Sequence, residues 1–267
     1  MAASSHADIA HIDYLLHLAD NAVVLGQRNG EWCGHGPVLE EDIAMTNMSL
    51  DLIGQARMLY QHAASLMGNG ATEDSLAYFR DAHVFRNYTL LELPHHGALV
   101  GYAIDNRDYA VTIVRNFLYS SLMLLVWERL QNSSDIQLAA IAAKSLKEVR
   151  YHVRHAGDWL VRFGDGTAES HQKAQAALDH LMPYTQEFWS ASDFEKSVVS
   201  KGIGVDVCSL REPWEAQLQT TLNEATLQMP KTTGFITTGK HQTHSEHLTY
   251  LLDEMQSLAR RHPEGVW

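Results

Sequence analysis

An acid and a histidine three residues apart on a helix lie on one face, and two such pairs on neighbouring helices can hold a pair of metal ions. In four-helix carboxylate bundles, two Glu-x-x-His pairs and two further carboxylates surround two irons. The stretch EEDIAMTNMSLDLIGQARMLYQHAAS, from Glu40 to Ser65, has the length and periodicity to carry one pair. Its inward stripe runs through Met45, Met48, Leu52, Gln55 and Leu59. The acid and histidine positions fall on Leu52 and Gln55. Neither side chain is a carboxylate or an imidazole.

The second pair belongs on the stretch KSLKEVRYHVRH, whose stripe is Leu138, Ala142, Ser145, Val149, His152 and Ala156. His152 stands in the histidine position, but Val149 stands where the acid would be. Glu148 is next in sequence yet about 100° round the helix, free to pair with His152 or Lys144. Asp51 is rotated away from Leu52 in the same manner. A lone His152 on an apolar stripe reads as a hydrogen-bonded core histidine. The two further carboxylates are no better supplied. One is expected near Asn21 and Ala22, with Asp20 close by in a register the spacing does not fix, and the apolar helix near residue 120 offers only Glu128 at its end. An unpaired buried carboxylate is costly, so losing the acids together with the metal is self-consistent. The expectation is a chain with no catalytic, cofactor-binding or metal-ligating residue, in which Leu52, Gln55, Val149 and His152 mark degenerate ligand positions. The alternative is an autonomous di-metal oxidase with an unusual ligand set, His152, Glu148 and Asp51. It needs helix rotations that the apolar stripes oppose.

Other constellations are weaker. His241, His244 and His247 surround Glu246, but they straddle a loop and the first turn of a helix with capping-box spacing from Thr243 to Glu246, which favours a structural role. His152 with His155, and His95 with His96, have no matching acid or cysteine cluster. Cys33 lies near His35 without nucleophile geometry. No nucleophile elbow, P-loop or dinucleotide glycine fingerprint occurs.

The elements that must position these residues are helical. Periodicity and breakers place helices over about 8–27, 40–65, 74–93, 109–131, 135–163, 169–189, 211–227 and 246–261, with Ser134 or Asp135 capping the fifth. On the first, Ile9, Ile12, Leu16, Ala19 and Val23 share a face. The pattern lapses over 190–210, read as extended chain or loop, and 231–243 reads as a loop that could face a partner. The chain of 267 residues is 45% hydrophobic with only 6 prolines, and no linker divides it. It is expected to form a single all-α domain over residues 1–267, with an up-and-down bundle at its centre. The apolar run Phe117–Trp127 is too short to span a bilayer and reads as a buried core helix. A net charge of -12 argues against nucleic-acid binding. The two cysteines, with no export signal, suggest the cytoplasm.

The runs GQRNGEWCGHGPVLEEDIAMTNMSLDLIGQAR, KSLKEVRYHVRHAGDWLVRFGDGT, NEATLQMP and THSEHLTYLLDEMQSLAR together resemble PaaC. This is the family of structural, non-catalytic subunits of bacterial phenylacetyl-CoA ring-1,2-epoxidases. The resemblance covers nearly the whole chain. It implies a ferritin-like helical bundle with additional C-terminal helices, paired with a related catalytic subunit that holds the di-iron centre. In that family a reductase fed by NADPH and small accessory subunits complete a multicomponent monooxygenase of aerobic phenylacetate catabolism. For this chain it implies no activity alone, no cofactor of its own, and a partner-facing surface. Exposed Met, Trp and Tyr of the first two helices, with Trp32 as an anchor, are expected to form that surface. A homodimer is expected when the partner is absent.

Overall fold

The apolar stripes of the long helices become the facing surfaces of a helical bundle in the computed structural model, which describes residues 8–96, 107–231 and 234–265. Among the described residues ten α-helices follow in order: α1 (Ile9–Gly30), α2 (Leu39–Met67), α3 (Glu73–Tyr78), α4 (Thr89–Glu92), α5 (Tyr109–Leu130), α6 (Ile136–Gly164), α7 (Ala168–Leu181), α8 (Asp193–Ser200), α9 (Arg211–Glu224) and α10 (Glu246–Arg261). Among the described residues there is no strand, and the fold is the expected all-α one, consistent with a ferritin-like bundle. Two hairpins, α1–α2 and α5–α6, meet with α2 lying against α6, while α7 to α10 pack around them. One continuous apolar core runs from Ile12 on α1 to Leu252 on α10.

The helix starts are encoded locally. Asp135 caps α6 by accepting from the N–H groups of Gln137 and Leu138, and Asp108 caps α5 through Ala110 N–H. Pairs of the capping-box type, Thr72 with Ser75, Thr167 with Ser170 and Ser192 with Glu195, open α3, α7 and α8. The α5 helix is long and apolar enough to cross a membrane, yet almost all of it is buried inside the bundle. Arg115, at the edge of its most apolar run, is itself buried. It donates to the carbonyl of Leu93 and to Nδ1 of His95, and burial lowers its guanidinium to about 9.

Five departures from the sequence reading concern the helices themselves. The helix expected over 74–93 is broken into α3, a 3-10 turn over Ala82–Val84, and α4. Side chains of α1 account for the break: Asp20 accepts from Arg86 N–H and Asn21 from Tyr88 N–H, so these amides serve the tertiary structure and not a helix ladder. The helix expected over 169–189 changes to a 3-10 stretch, Met182–Trp189, with Pro183 near its start. Residues 190–210 are not simply loop, because the Ser192–Glu195 cap starts α8 there. At α10, Ser245 takes the cap position but its hydroxyl donates to Glu92, so the box read from Thr243 to Glu246 does not form. Ile9 is exposed, although Ile12, Leu16, Ala19 and Val23 are buried as expected.

Gly164 shows why a small residue closes α6. An added Cβ would sit 1.9 Å from the carbonyl oxygen of Ala225, so only glycine allows the end of α6 to meet the end of α9.

Candidate functional site

The seam between α2 and α6 is where ligand-bearing stripes would converge. Met45, Met48, Leu52, Gln55 and Leu59 of α2 are all buried, as are Leu138, Ala142, Ser145, Val149, His152 and Ala156 of α6. The helical spacing therefore places Leu52, Gln55, Val149 and His152 in the core, each 2% exposed. The polar atoms among them are already taken. Leu52 and Val149 present no donor atom. The Gln55 amide donates to Oε2 of Glu148 at 2.9 Å, and Nε2 of His152 donates to Oδ2 of Asp51 at 3.0 Å.

These two contacts decide how Asp51, Glu148 and His152 are used. The three do not gather about one point; they separate into two cross-links between α2 and α6. Asp51 and Glu148 are half-buried at the rim of the seam, as their rotation from the stripes requires. Glu148 takes its hydrogen bond from the amide that stands in a histidine position, and not from His152 or Lys144.

A third cross-link lies nearer the start of α2. Buried Glu41 accepts from the hydroxyl of Tyr109 at 2.7 Å and from Nε2 of His155 at 2.9 Å. Burial, then the Glu41 carboxylate, raise the Tyr109 hydroxyl above its ordinary value, so the phenol keeps its proton and donates it. Sequence reasoning offered Glu148 or, in the di-metal alternative, Asp51 to His152 and no acid to His155; the structure gives them Asp51 and Glu41, on another helix 101 and 114 residues away. Only the tertiary fold could bring these partners together.

The remaining carboxylates considered from sequence lie elsewhere. Asp20 is fully buried against Arg80, and it also accepts from the Tyr60 hydroxyl at 2.6 Å. Glu128 is exposed beside Arg150. His244 is held between Glu92 and the Phe85 carbonyl. Burial opposes its protonation, yet Glu92 raises its pKa above the ordinary value, which supports the structural reading of that histidine group.

Trp32 is a correction. It is 5% exposed, its indole N–H donates to Thr112 at 2.9 Å and to Nδ1 of His95 at 3.2 Å, and it packs against Tyr109. It is an internal anchor of the α1–α2 connection and not a surface residue. The methionines at 45 and 48 are likewise buried, and the outer face of α2 carries exposed aliphatic side chains, Leu39, Ile43, Leu50 and Ile53, alongside exposed polar ones such as Asn47 and Arg57. The loop read as partner-facing is also partly internal. Phe235 and Ile236 are exposed, but Lys240 is buried and its ammonium donates to Glu195 at 3.0 Å.

A bundle whose two central helices meet through matched stripes can be compared with known families. The family described as "Phenylacetic acid catabolic protein" matches residues 2–267. The chain belongs to this family. Within the phenylacetic acid catabolic proteins it is similar to one of the subunits of the 1,2-phenylacetyl-CoA epoxidase of Escherichia coli (strain K12). The two are 44% identical over 254 residues, which is 95% of this chain and 98% of that one. The family match spans every described helix, the α2 and α6 stripes included.

Proposed function

We propose that this chain is the structural, non-catalytic subunit of a multicomponent monooxygenase that epoxidises the aromatic ring of phenylacetyl-CoA in aerobic phenylacetate catabolism. One observation carries the reading. The four positions that would supply Glu-x-x-His pairs hold Leu52, Gln55, Val149 and His152, and the two polar ones are already committed to Glu148 and Asp51. Two aliphatic side chains, one amide and one engaged imidazole do not fit a di-iron pair, which needs carboxylates to neutralise its charge in a dry core. The similarity to the E. coli epoxidase chain supports the substrate and the setting.

In this reading the iron belongs to a related catalytic subunit, and this chain docks against it and stabilises its helices. A reductase and small accessory subunits complete the assembly in the cytoplasm. The exposed aliphatic residues Leu39, Ile43, Leu50 and Ile53 offer an apolar strip on the outer face of α2, suited to helix-on-helix packing against a subunit of the same fold. Without that partner the same strip can pair two copies of this chain.

Reconstitution tests the reading. The purified chain, given ferrous iron, oxygen and the reductase, forms no epoxide; addition of the catalytic subunit produces turnover that depends on both. Epoxide formation by this chain alone, abolished by His152→Ala, would establish the autonomous di-metal oxidase instead.

A further inference from the structure

The far end of the α2–α6 seam carries a group of side chains that the proposed function does not use. His11 comes from the first turn of α1, His62 from the last turns of α2, and Asp135 is the N-cap of α6. Oδ2 of Asp135 lies 2.8 Å from Nε2 of His11 and 2.6 Å from Nε2 of His62. One ligand atom from each residue lies within 4.8 Å of the other two, and among the described residues this is the group of three histidine or carboxylate side chains that converges so closely. We propose that His11, His62 and Asp135 form a divalent-cation site of the kind taken by zinc, clasping the starts of α1 and α6 to the end of α2.

The local geometry favours a ligand set over a cap with incidental neighbours. Capping α6 requires only Oδ1 of Asp135, which already receives the N–H groups of Gln137 and Leu138. Oδ2 is left facing inward, and two imidazoles reach it from two other helices with their rings crossed at 80°. The backbone contacts to Oδ1 orient the carboxylate, as outer-shell hydrogen bonds orient metal ligands. Two imidazole nitrogens and one carboxylate oxygen suit a borderline cation such as zinc, and water fills the fourth tetrahedral position. The side chains are 13%, 10% and 9% exposed, so the group is sheltered without being sealed.

Loading requires two small changes. Each imidazole carries its proton on Nδ1, which presents the Nε2 lone pair and releases no net proton from a neutral ring. The ligand atoms move from hydrogen-bond separations to about 3.3 Å, the spacing set by metal–ligand bonds of about 2.0–2.1 Å around a tetrahedron. The site is distinct from the degenerate positions. Seven residues separate Gln55 from His62 on α2, roughly 10 Å along the helix.

Untagged full-length chain, stripped with chelator and titrated with zinc, tests the proposal. The expected result is about one zinc per chain, X-ray absorption showing two imidazole ligands, and a rise in Tm on loading. His11→Gln and His62→Gln each weaken binding more than about tenfold, and the double variant loses both binding and the Tm rise. Absence of saturable binding, or unchanged affinity in a folded double variant, overturns it. If circular dichroism shows the double variant unfolded, the absorption spectrum of the wild-type chain decides: fewer than two imidazoles at the zinc overturns the site.

Discussion

Nε2 of His152 on α6 donates to Asp51 on α2 at 3.0 Å, so the histidine of the buried α6 stripe is bound by an acid that lies one residue outside the Leu52 stripe. The contact is a helix-to-helix cross-link between α6 and α2. The chain needs no metal at this point to satisfy the imidazole N–H.

That cross-link is measurable. Asp51→Ala and His152→Ala are each expected to lower unfolding free energy by about 1–3 kcal/mol, as for a lost hydrogen bond beside a buried polar group. A double-mutant cycle in urea should return a coupling of about 1 kcal/mol. Zero coupling would mean that the contact holds nothing.

Restoring an acid to the stripe has the opposite character. Leu52→Glu places a carboxylate at a 2% exposed position with no counter-charge, and a loss of more than about 2 kcal/mol is expected at pH 8. Burial raises the folded-state pKa of such a group, so the unfolded chain releases its proton first as pH rises. The variant should therefore recover stability, relative to wild type, between pH 8 and pH 5. Urea midpoints at the two pH values check the sign.

If the proposed function holds, association with the catalytic subunit depends on the outer face of α2. Ile43 and Leu50 are seven residues apart, on one face, and both are more than half exposed. Ile43→Asp and Leu50→Asp are expected to change the stability of the isolated chain by less than about 0.5 kcal/mol. Each should weaken binding of the catalytic subunit by about tenfold or more in a titration by light scattering or calorimetry. Unchanged binding would move the interface elsewhere.

The Lys240–Glu195 pair ties the loop before α10 into the core. Both side chains are buried, and Glu195 also accepts from the N–H and hydroxyl of Ser192. Burial alone would raise the Glu195 carboxyl, but Lys240 leads the opposing contacts that hold it below the usual range. Lys240→Met removes the counter-charge and is expected to cost about 3–5 kcal/mol, while Lys240→Met with Glu195→Gln recovers much of it. Thermal unfolding of the two variants separates these outcomes.

Acid sensitivity should come in part from His17. It is buried, its Nδ1 lies 2.6 Å from the Arg86 carbonyl oxygen, and burial lowers its pKa from 6.5 to about 4. Between these values the unfolded chain binds a proton that the folded chain refuses. Stability is therefore lost as pH falls from 6.5 towards 4, by about 3 kcal/mol in total at about 1.4 kcal/mol per pH unit. His17→Gln should flatten the slope of stability against pH in that window. An unchanged slope would assign the acid response to other groups.

Helical periodicity alone determined the four longest helices and that Leu52, Gln55, Val149 and His152 turn into the core, because side chains three or four apart share a face wherever the helix packs. Local sequence also narrowed the cap of α6 to Ser134 or Asp135, since capping is local, and the structure uses Asp135. The sequence could not choose between Glu148 and Asp51 for His152, and it could not find Glu41 for His155 or Asp135 for His11 and His62, whose partners lie on other helices far away in sequence. Nor could it see that Trp32 turns inward or that Lys240 is buried. Those outcomes depend on the order in which helices pack and on which polar groups that packing strips of water. Such groups must find partners across the bundle, and only the tertiary structure decides which ones they find.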